Sequence, residues 1–388
     1  MTEPQTPGPL AGLRVIDLSR LLPGGYATLL LADLGAEVVK VEQPGVGDGI
    51  RYFPPVRADG ESGAHLALNR GKKSVTVDLR SAPGQQLLVE LAARSDVLIE
   101  SFRPGVMDRL GVGYDALHAA NPRLIYVAIT GYGADGAHSL RAGHDINYLA
   151  QAGALSFSGT LAGPHQPGLQ IGDLGGGGLP AVVAVLAALH ARHRTGEGQF
   201  CDVSMTDGVL SWLSVYAGAH AVSGEVPRPG TGLLGGGFAC YGVYECADGR
   251  HVAVGALEPK FFAVLLDGLG LPELSSAHLD PARQDELRTR LAEVFATRSS
   301  QQWADAFGDV DGCVTPVLDL AEALAGPLFR SREMVTADGL PGVIPRLTGT
   351  PGRAGGPPSA LGADTDDLLR ELGRTEDEIA RLRADGVI

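Results

Sequence analysis

Four places in this 388-residue sequence combine residue types that can move a proton or hold a charge. In "RAGHDINYLA", Gly143-His144-Asp145 sets an imidazole beside a carboxylate. Imidazoles titrate near ~6.5, which suits a general base at neutral pH. The plainer reading is that Asp145 caps a helix beginning near Ile146 while His144 fills space beside it. Asp173, in "IGDLGGGGLP", stands directly before four glycines that open a long apolar helix. A carboxylate there meets the positive end of the helix, and the glycines allow a ligand close to the backbone. An N-cap with a tight turn competes with that reading, although four consecutive glycines are entropically costly for a turn alone. Glu258, in "VGALEPKFF", lies between a strand and a helix, where a first-turn charge ahead of Pro259 already accounts for it. Arg70, Lys72, Lys73, Arg103 and Arg109 form a basic set. Solvated surface charge explains most of them, but "SFRPG" follows a strand, at the end where open parallel sheets bind ligands.

The elements that must position these residues alternate along the chain. "LRVIDLS" (13–19), "EVVKVEQP" (37–44), "KSVTVDL" (73–79), "DVLIESF" (96–102) and "LIYVAITGYG" (124–133) read as buried strands. Between them, "YATLLLADLG" reads as a helix closed by Gly35, and "GQQLLVELAARS" as a helix capped by Ser81. Strands rich in Val, Ile and Leu separated by helices predict an α/β fold, a parallel sheet covered on both faces. "RVIDLS" is followed by "PGG" and no G-x-G-x-x-G, so a nicotinamide enzyme is not expected.

Further on, "AVVAVLAALHARH" reads as a helix, "FCDVSM" (200–205) as a strand and "TDGVLSWLSVYAGAHA" as one more helix. The Gly- and Pro-rich segment 223–239 marks a domain boundary. Asp248-Gly249 joins "CYGVYECA" and "HVAVGAL" in a hairpin. Helices around 260–268 and 283–296 follow, and 337–360 is loop-like. Thr375 and Glu378 fit a capping box in the last, polar helix. Single cores stop growing near ~250–300 residues, so two domains are expected. The boundaries run 1–205 for a large domain, 206–240 for a linker helix and Gly-rich loop, 241–336 for a smaller α+β domain, and 337–388 for a segment returning to the large domain.

A net charge of −14 argues against nucleic-acid and anionic-membrane partners, though a local basic pocket for a phosphorylated small molecule stays open. Cys201, Cys240, Cys246 and Cys313 have no CxxC spacing and read as reduced thiols. No His or Cys grouping has metal-ligand spacing, and no G-x-S-x-G or Walker loop occurs. The opening "MTEPQTPGPL" lacks a signal-peptide pattern, and no apolar run approaches the ~20 residues of a membrane span, so a cytoplasmic protein is expected. From these residues alone the chain is an α/β protein with an acid/base-capable His, Asp and Glu set and no named substrate.

"LAGLRVIDLSRLLPGGYATLLLADLGAEVVKVEQPG", "DVLIESFRPGVMDRLGVGY", "NPRLIYVAITGYG" and "LRELGRTEDEIARLRADGVI" resemble the family III CoA-transferase superfamily across almost the entire chain. "AGHDINYLA", "YECADGRHVAVGALEPKFF" and "DGCVTPVL" (311–318) are similar to its α-methylacyl-CoA racemase branch. The resemblance implies a Rossmann-like large domain, a smaller domain and an interlocked homodimer. It implies His144 and Asp173 as two bases flanking the α-carbon of an acyl-CoA, with Glu258 in support; Asp145 is kept in this catalytic set, read from its own position as a cap or an orienting neighbour more than as a base. It also implies adenine near Val77, Asp78 and Leu79, phosphates near Arg103 and Arg109, and Asn147 and Tyr148 beside the thioester. The CoA thioester is the substrate, and no separate cofactor or metal is implied.

The reaction expected from the resemblance is inversion of 2-methylacyl-CoA thioesters through an enolate. The alternative is a CoA-transferase in which the residue matching Asp173 is the nucleophile; a non-catalytic acyl-CoA binder is a third. Three departures bear on the choice. Gln43 stands where the family carries a phosphate-binding Arg, which turns attention to Arg70, Lys72 or Lys73 as substitutes. Gly235 replaces an Asp usual in racemases, and the chain has only four Met where a Met-rich acyl surface is expected.

Overall fold

The computed structural model describes residues 6–226 and 228–388. Residues 1–5, part of the opening stretch considered for targeting, and Pro227, within the 223–239 segment, lie outside the described residues.

Short runs of branched apolar residues form six strands: β1 Arg14–Leu18, β2 Glu37–Glu42, β3 Lys73–Thr76, β4 Val97–Glu100, β5 Ile125–Thr130 and β6 Phe200–Ser204. They line up β3-β2-β1-β4-β5-β6, and every neighbouring pair is parallel. The order turns around between β1 and β4, and a crevice opens outside the carboxyl ends of the strands at such a point. Sheet and helices bury two apolar layers. On one side Ile16, Val39, Leu98 and Tyr126 pack with Leu87, Leu88 and Leu91, and with Leu368, Leu369 and Ile379 near the chain's end. On the other, Val15, Ile99, Val127 and Ile129 meet Leu30, Leu31, Ala181 and Val185. Each fully buried side chain of this size contributes roughly 1.5–3 kcal/mol of transfer free energy, which is what closes the sheet on both faces.

Among the helices that frame this sheet are α1 Leu21–Asp33, α2 Ala82–Ala92, α3 Asp145–Gln151 and α4 Leu179–Thr195. Ser81 caps α2 by accepting the Gly84 N–H at 3.1 Å, as its sequence suggests. Helix α1 starts earlier than expected and takes "PGG" into its first turns; a Cβ on Gly24 would stand 2.1 Å from that of Ser19, so glycine is required there. The glycine run before α4 differs as well. Ile171–Gly178 is itself helical, with wide π-type turns, and continues directly into α4. The joined helix, Ile171–Thr195, is 25 residues long and by length and composition could cross a membrane, contrary to the expectation that no run approaches that length. Its Ala181, Val182, Val185 and Ala188 are buried. The single helix expected after β6 is two, Met205–Ser211 and Ser214–Ser223.

The chain divides into two compact units, one of residues 1–152, 168–213 and 332–388, the other of 153–167 and 214–331. The division departs from the expected 1–205, 206–240, 241–336 and 337–388. Residues 153–167 leave the first unit because Phe157 packs on Tyr216, ring centroids 4.5 Å apart, an attraction that no local pattern encodes. The second unit holds an antiparallel sheet of β7 Tyr241–Glu245, β8 His251–Gly255 and β9 Val314–Pro316, ordered β9-β8-β7. Its core sets Val252, Val254 and Tyr244 against Phe262, Leu265, Leu291, Phe295 and Trp303. The hairpin turns at Gly249, φ +73°, where the Asp-Gly signal put it.

Candidate functional site

His144 immediately precedes α3, with extended backbone, and its N–H donates to Asn147 Oδ1 at 3.0 Å. Its imidazole is exposed. Asn147 therefore shapes the helix start from which the ring projects. Asp145 is the first helical residue, and its carboxylate turns away from its own helix. Asp145 Oδ1 accepts the backbone N–H of Asp173 at 2.8 Å, tying α3 to the start of the wide-turned helix. The expectation of Asp145 as a cap of its own helix is thereby corrected; it orients a second segment. Gly172 makes the approach possible, since a Cβ there would lie 3.0 Å from Asp145 Oδ1.

Asp173 is half-buried, and its carboxyl is pushed up to about 6, first by desolvation and then by the neighbouring charge of Asp145, with His144 opposing. Tyr148, buried at the base of α3, donates its hydroxyl to Gly143 O at 2.5 Å. Burial and the carboxylates of Asp173 and Asp145 push this phenol up to about 12, so it stays protonated. The first unit thus brings His144, Asp145, Asn147, Tyr148 and Asp173 together around one corner of α3.

The four glycines after Asp173 serve packing. A Cβ on Gly175 would fall 2.0 Å from Trp212 Cη2, on Gly176 2.6 Å from Met205 O, on Gly177 2.7 Å from Met205 Cγ, and on Gly178 2.9 Å from Tyr26 Cδ1. The run lets its helix lie directly against Met205–Ser211 and α1, which fixes Asp173; room for a ligand at these glycines is not what their surroundings provide.

Glu258 belongs to the second unit. It is exposed and immediately precedes α5 Pro259–Leu269, with proline in the first turn, as its sequence context indicates. Burial raises the thiol of Cys313, Glu258 and Asp311 add to the rise and Lys260 opposes it, so these groups are neighbours within that unit. Cys201, Cys240, Cys246 and Cys313 are all free thiols. Among the described residues no group of three or more His, Cys, Asp or Glu is arranged to hold a metal ion.

A cavity of about 310 Å³ opens at the carboxyl ends of β1, β2, β3 and β4. Gln43, Val77, Asp78 and Leu79 line it, together with Arg20 and Phe102. Arg103 and Arg109 are exposed on the segment that follows β4. The suggested substitutes for the missing Arg at position 43 are occupied elsewhere. Arg70 is buried against Asp33 at 2.5 Å, and Lys72 is buried between Asp17, at 3.3 Å, and Thr28 Oγ1, at 2.6 Å. Burial brings the Lys72 ammonium down to about 8 against the pull of Asp17. Lys73 is exposed but bonded to Glu37. Buried carboxylates claim the first two because an unpaired charge in the core costs several kcal/mol. Arg20 was not singled out from the sequence. Its position directly after the first strand of an alternating α/β pattern was the available signal.

The first unit is thus a doubly wound α/β fold with a six-stranded parallel sheet, a crevice at its turning point and two carboxylates beside a histidine. The CoA-transferase family III model matches residues 10–365, and the chain belongs to that family. It is 39% identical to the alpha-methylacyl-CoA racemase of Mus musculus, over 98% of this chain and 97% of that one. It is 35% identical to the succinyl-CoA:glutarate CoA-transferase of Mus musculus, over 98% and 90%. Among solved structures, a CAIB/BAIF family protein from Brucella suis superposes with a TM-score of 0.85 at 31% identity, covering 95% of this chain and 100% of that one.

Proposed function

We propose that the protein is an acyl-CoA racemase or epimerase that inverts the α-carbon of 2-methylacyl-CoA thioesters. The observation that carries this reading is the pairing of an exposed imidazole, His144, with a carboxyl raised to about 6, Asp173, on one corner of the first unit. Inversion needs two bases of similar strength, one to take the α-proton and the other to return a proton to the opposite face. Burial and the charge of Asp145 make the Asp173 carboxylate a stronger base than an ordinary surface carboxylate, which suits it to one of these two roles. Asp145 orients Asp173 and keeps its affinity for a proton high. Tyr148 and Asn147 flank the same corner. The CoA portion occupies the crevice beside Val77, Asp78 and Leu79, with Arg103 and Arg109 at its rim. The 39% identity to a racemase supports the assignment.

Incubation of one stereoisomer of a 2-methylacyl-CoA in deuterated water, with no acceptor acid, tests it. Deuterium at the α-carbon together with loss of stereochemical purity is expected; neither, across several acyl groups, excludes the reading. The second reading is transfer of CoA between carboxylic acids, favoured by the 35% identity to a CoA-transferase and by the half-buried carboxylate of Asp173, a suitable nucleophile once desolvated. It predicts turnover only when a free carboxylate is supplied, and an Asp173 adduct that hydroxylamine traps.

The reading includes a homodimer in the cytoplasm. Helix Ser214–Ser223 buries none of its residues, and Val215 and Val222 are 75% and 92% exposed. An apolar helical face of this kind is suited to cover by a second copy.

A further inference from the structure

Among the described residues that line the crevice at the strand ends, one cation is met by no carboxylate. Two arginines line the crevice, Arg20 and Arg80. Arg80 donates to Asp78 Oδ1 at 2.8 Å and to Oδ2 at 3.2 Å, so its fork is spent. The crevice's other carboxylates are also engaged: Glu42 by Arg51 at 2.7 Å and Asp48 by Lys40 at 3.0 Å. Arg20 is exposed, and among the described residues its contacts are the backbone N–H to Ser101 and the stack on Phe102, neither of them an ion pair. Its guanidinium lies over the ring of Phe102, 5.1 Å from the centroid, with the fork free at its edge.

The mounting is specific. The Arg20 N–H donates to Ser101 Oγ at 2.9 Å, which ties the loop after β1 to the loop after β4. The Phe102 N–H donates to Glu100 Oε2 at 2.6 Å, which fixes the ring beneath the guanidinium. A stacked arginine loses little rotamer freedom on binding and presents two parallel N–H donors, the geometry that suits phosphate. Across the same crevice, Gln43 brings a neutral amide.

We propose that Arg20 is a phosphate-binding residue of this crevice, meeting a phosphate of the CoA nucleotide and taking over the charge that Gln43 lacks. The assignment rests on the proposed use of the crevice for CoA. The experiment is calorimetric titration of free CoA and of 3′-dephospho-CoA into the unaltered protein, Arg20→Gln and Arg20→Lys. Loss of a charge-assisted contact corresponds to roughly 10–100-fold weaker CoA binding in Arg20→Gln. Arg20→Lys falls between, because it keeps the charge without the fork. The salt dependence of CoA affinity is also expected to be shallower in Arg20→Gln. A loss that persists with 3′-dephospho-CoA puts the contact at the pyrophosphate; one that vanishes puts it at the 3′-phosphate. CoA bound by Arg20→Gln within twofold of the unaltered protein overturns the assignment of Arg20 alone. No CoA binding by the unaltered protein overturns the use of the crevice as well.

Discussion

Asp145 Oδ1 and the backbone N–H of Asp173, 2.8 Å apart, connect residues 28 positions apart in the chain and place two carboxylates at one corner. The contact both fixes the Asp173 backbone and supplies the charge that makes its carboxyl hold a proton more tightly. Asp145→Asn keeps an oxygen able to accept the N–H but removes the charge. The acid limb of kcat/KM is then expected to move to lower pH than in the unaltered enzyme, whereas Asp145→Ala loses the tether and lowers kcat as well. An unmoved limb in the Asn variant would show that Asp145 does not tune Asp173.

Asp173 titrates near 6 in the folded protein against an ordinary value of 3.8. The sign of its contribution to stability follows. Below about 4 the group is protonated in both states and costs nothing; as pH rises through 6 the folded state must ionise a carboxyl it prefers to keep protonated. The cost at pH 8 is about 3 kcal/mol, an order-of-magnitude figure. Asp173→Asn is therefore expected to unfold at higher temperature than the unaltered protein at pH 8, with the gain fading toward pH 4. Thermal unfolding measured at both pH values checks this, and an equal gain at each would remove ionisation as its cause.

His144 is exposed and its ring supports no packing layer. His144→Ala is expected to abolish α-proton exchange in deuterated water while leaving circular dichroism and oligomeric state unchanged. Exchange at the unaltered rate would take His144 out of the proposed chemistry.

The glycine run predicts stability more than binding. Gly176→Ala sets a methyl group 2.6 Å from Met205 O and 2.8 Å from Val209 Cγ2. Overpacking of this kind costs typically ~1–3 kcal/mol, and here part of the clash is with backbone that cannot yield. Urea unfolding should show the loss. A variant as stable as the parent would mean that the glycines are held for another reason.

The uncovered face of helix Ser214–Ser223 gives a last expectation. Val215→Glu combined with Val222→Glu should convert a dimer to a monomer at micromolar concentration in sedimentation experiments, since buried unpaired carboxylates oppose association. Dimers that persist would place the contact elsewhere.

Particular residues show where local pattern suffices. The branched runs at β1, β2, β4 and β5, the Ser81 and Thr375 caps and the Asp-Gly hairpin are all set by side chains within a few positions of one another. Thr375 Oγ1 accepts the Glu378 N–H at 3.3 Å while Glu378 Oε2 accepts the Thr375 N–H at 2.7 Å, as their spacing requires. The parallel sheet could be read because its strands must be apolar on both faces. His144, Asp173 and Glu258 stood out as residue types able to do chemistry.

Tertiary structure decided the rest, for a common reason: it sets which charges and which backbones meet across long stretches of chain. Arg70 and Lys72 look like Arg20 in the sequence, yet Asp33 and Asp17 neutralise the first two inside the core while Arg20 stays free on the crevice wall. Asp145 reads locally as a cap, but its partner is 28 residues away. The four glycines read as room for a ligand until Trp212, Met205 and Tyr26 fill that room. The sequence by itself determined the alternation of elements and the inventory of reactive groups. Folding determined which of those groups are neutralised, which are raised in proton affinity and which remain open to a substrate, because these depend on burial and on distances between segments that no local spacing contains.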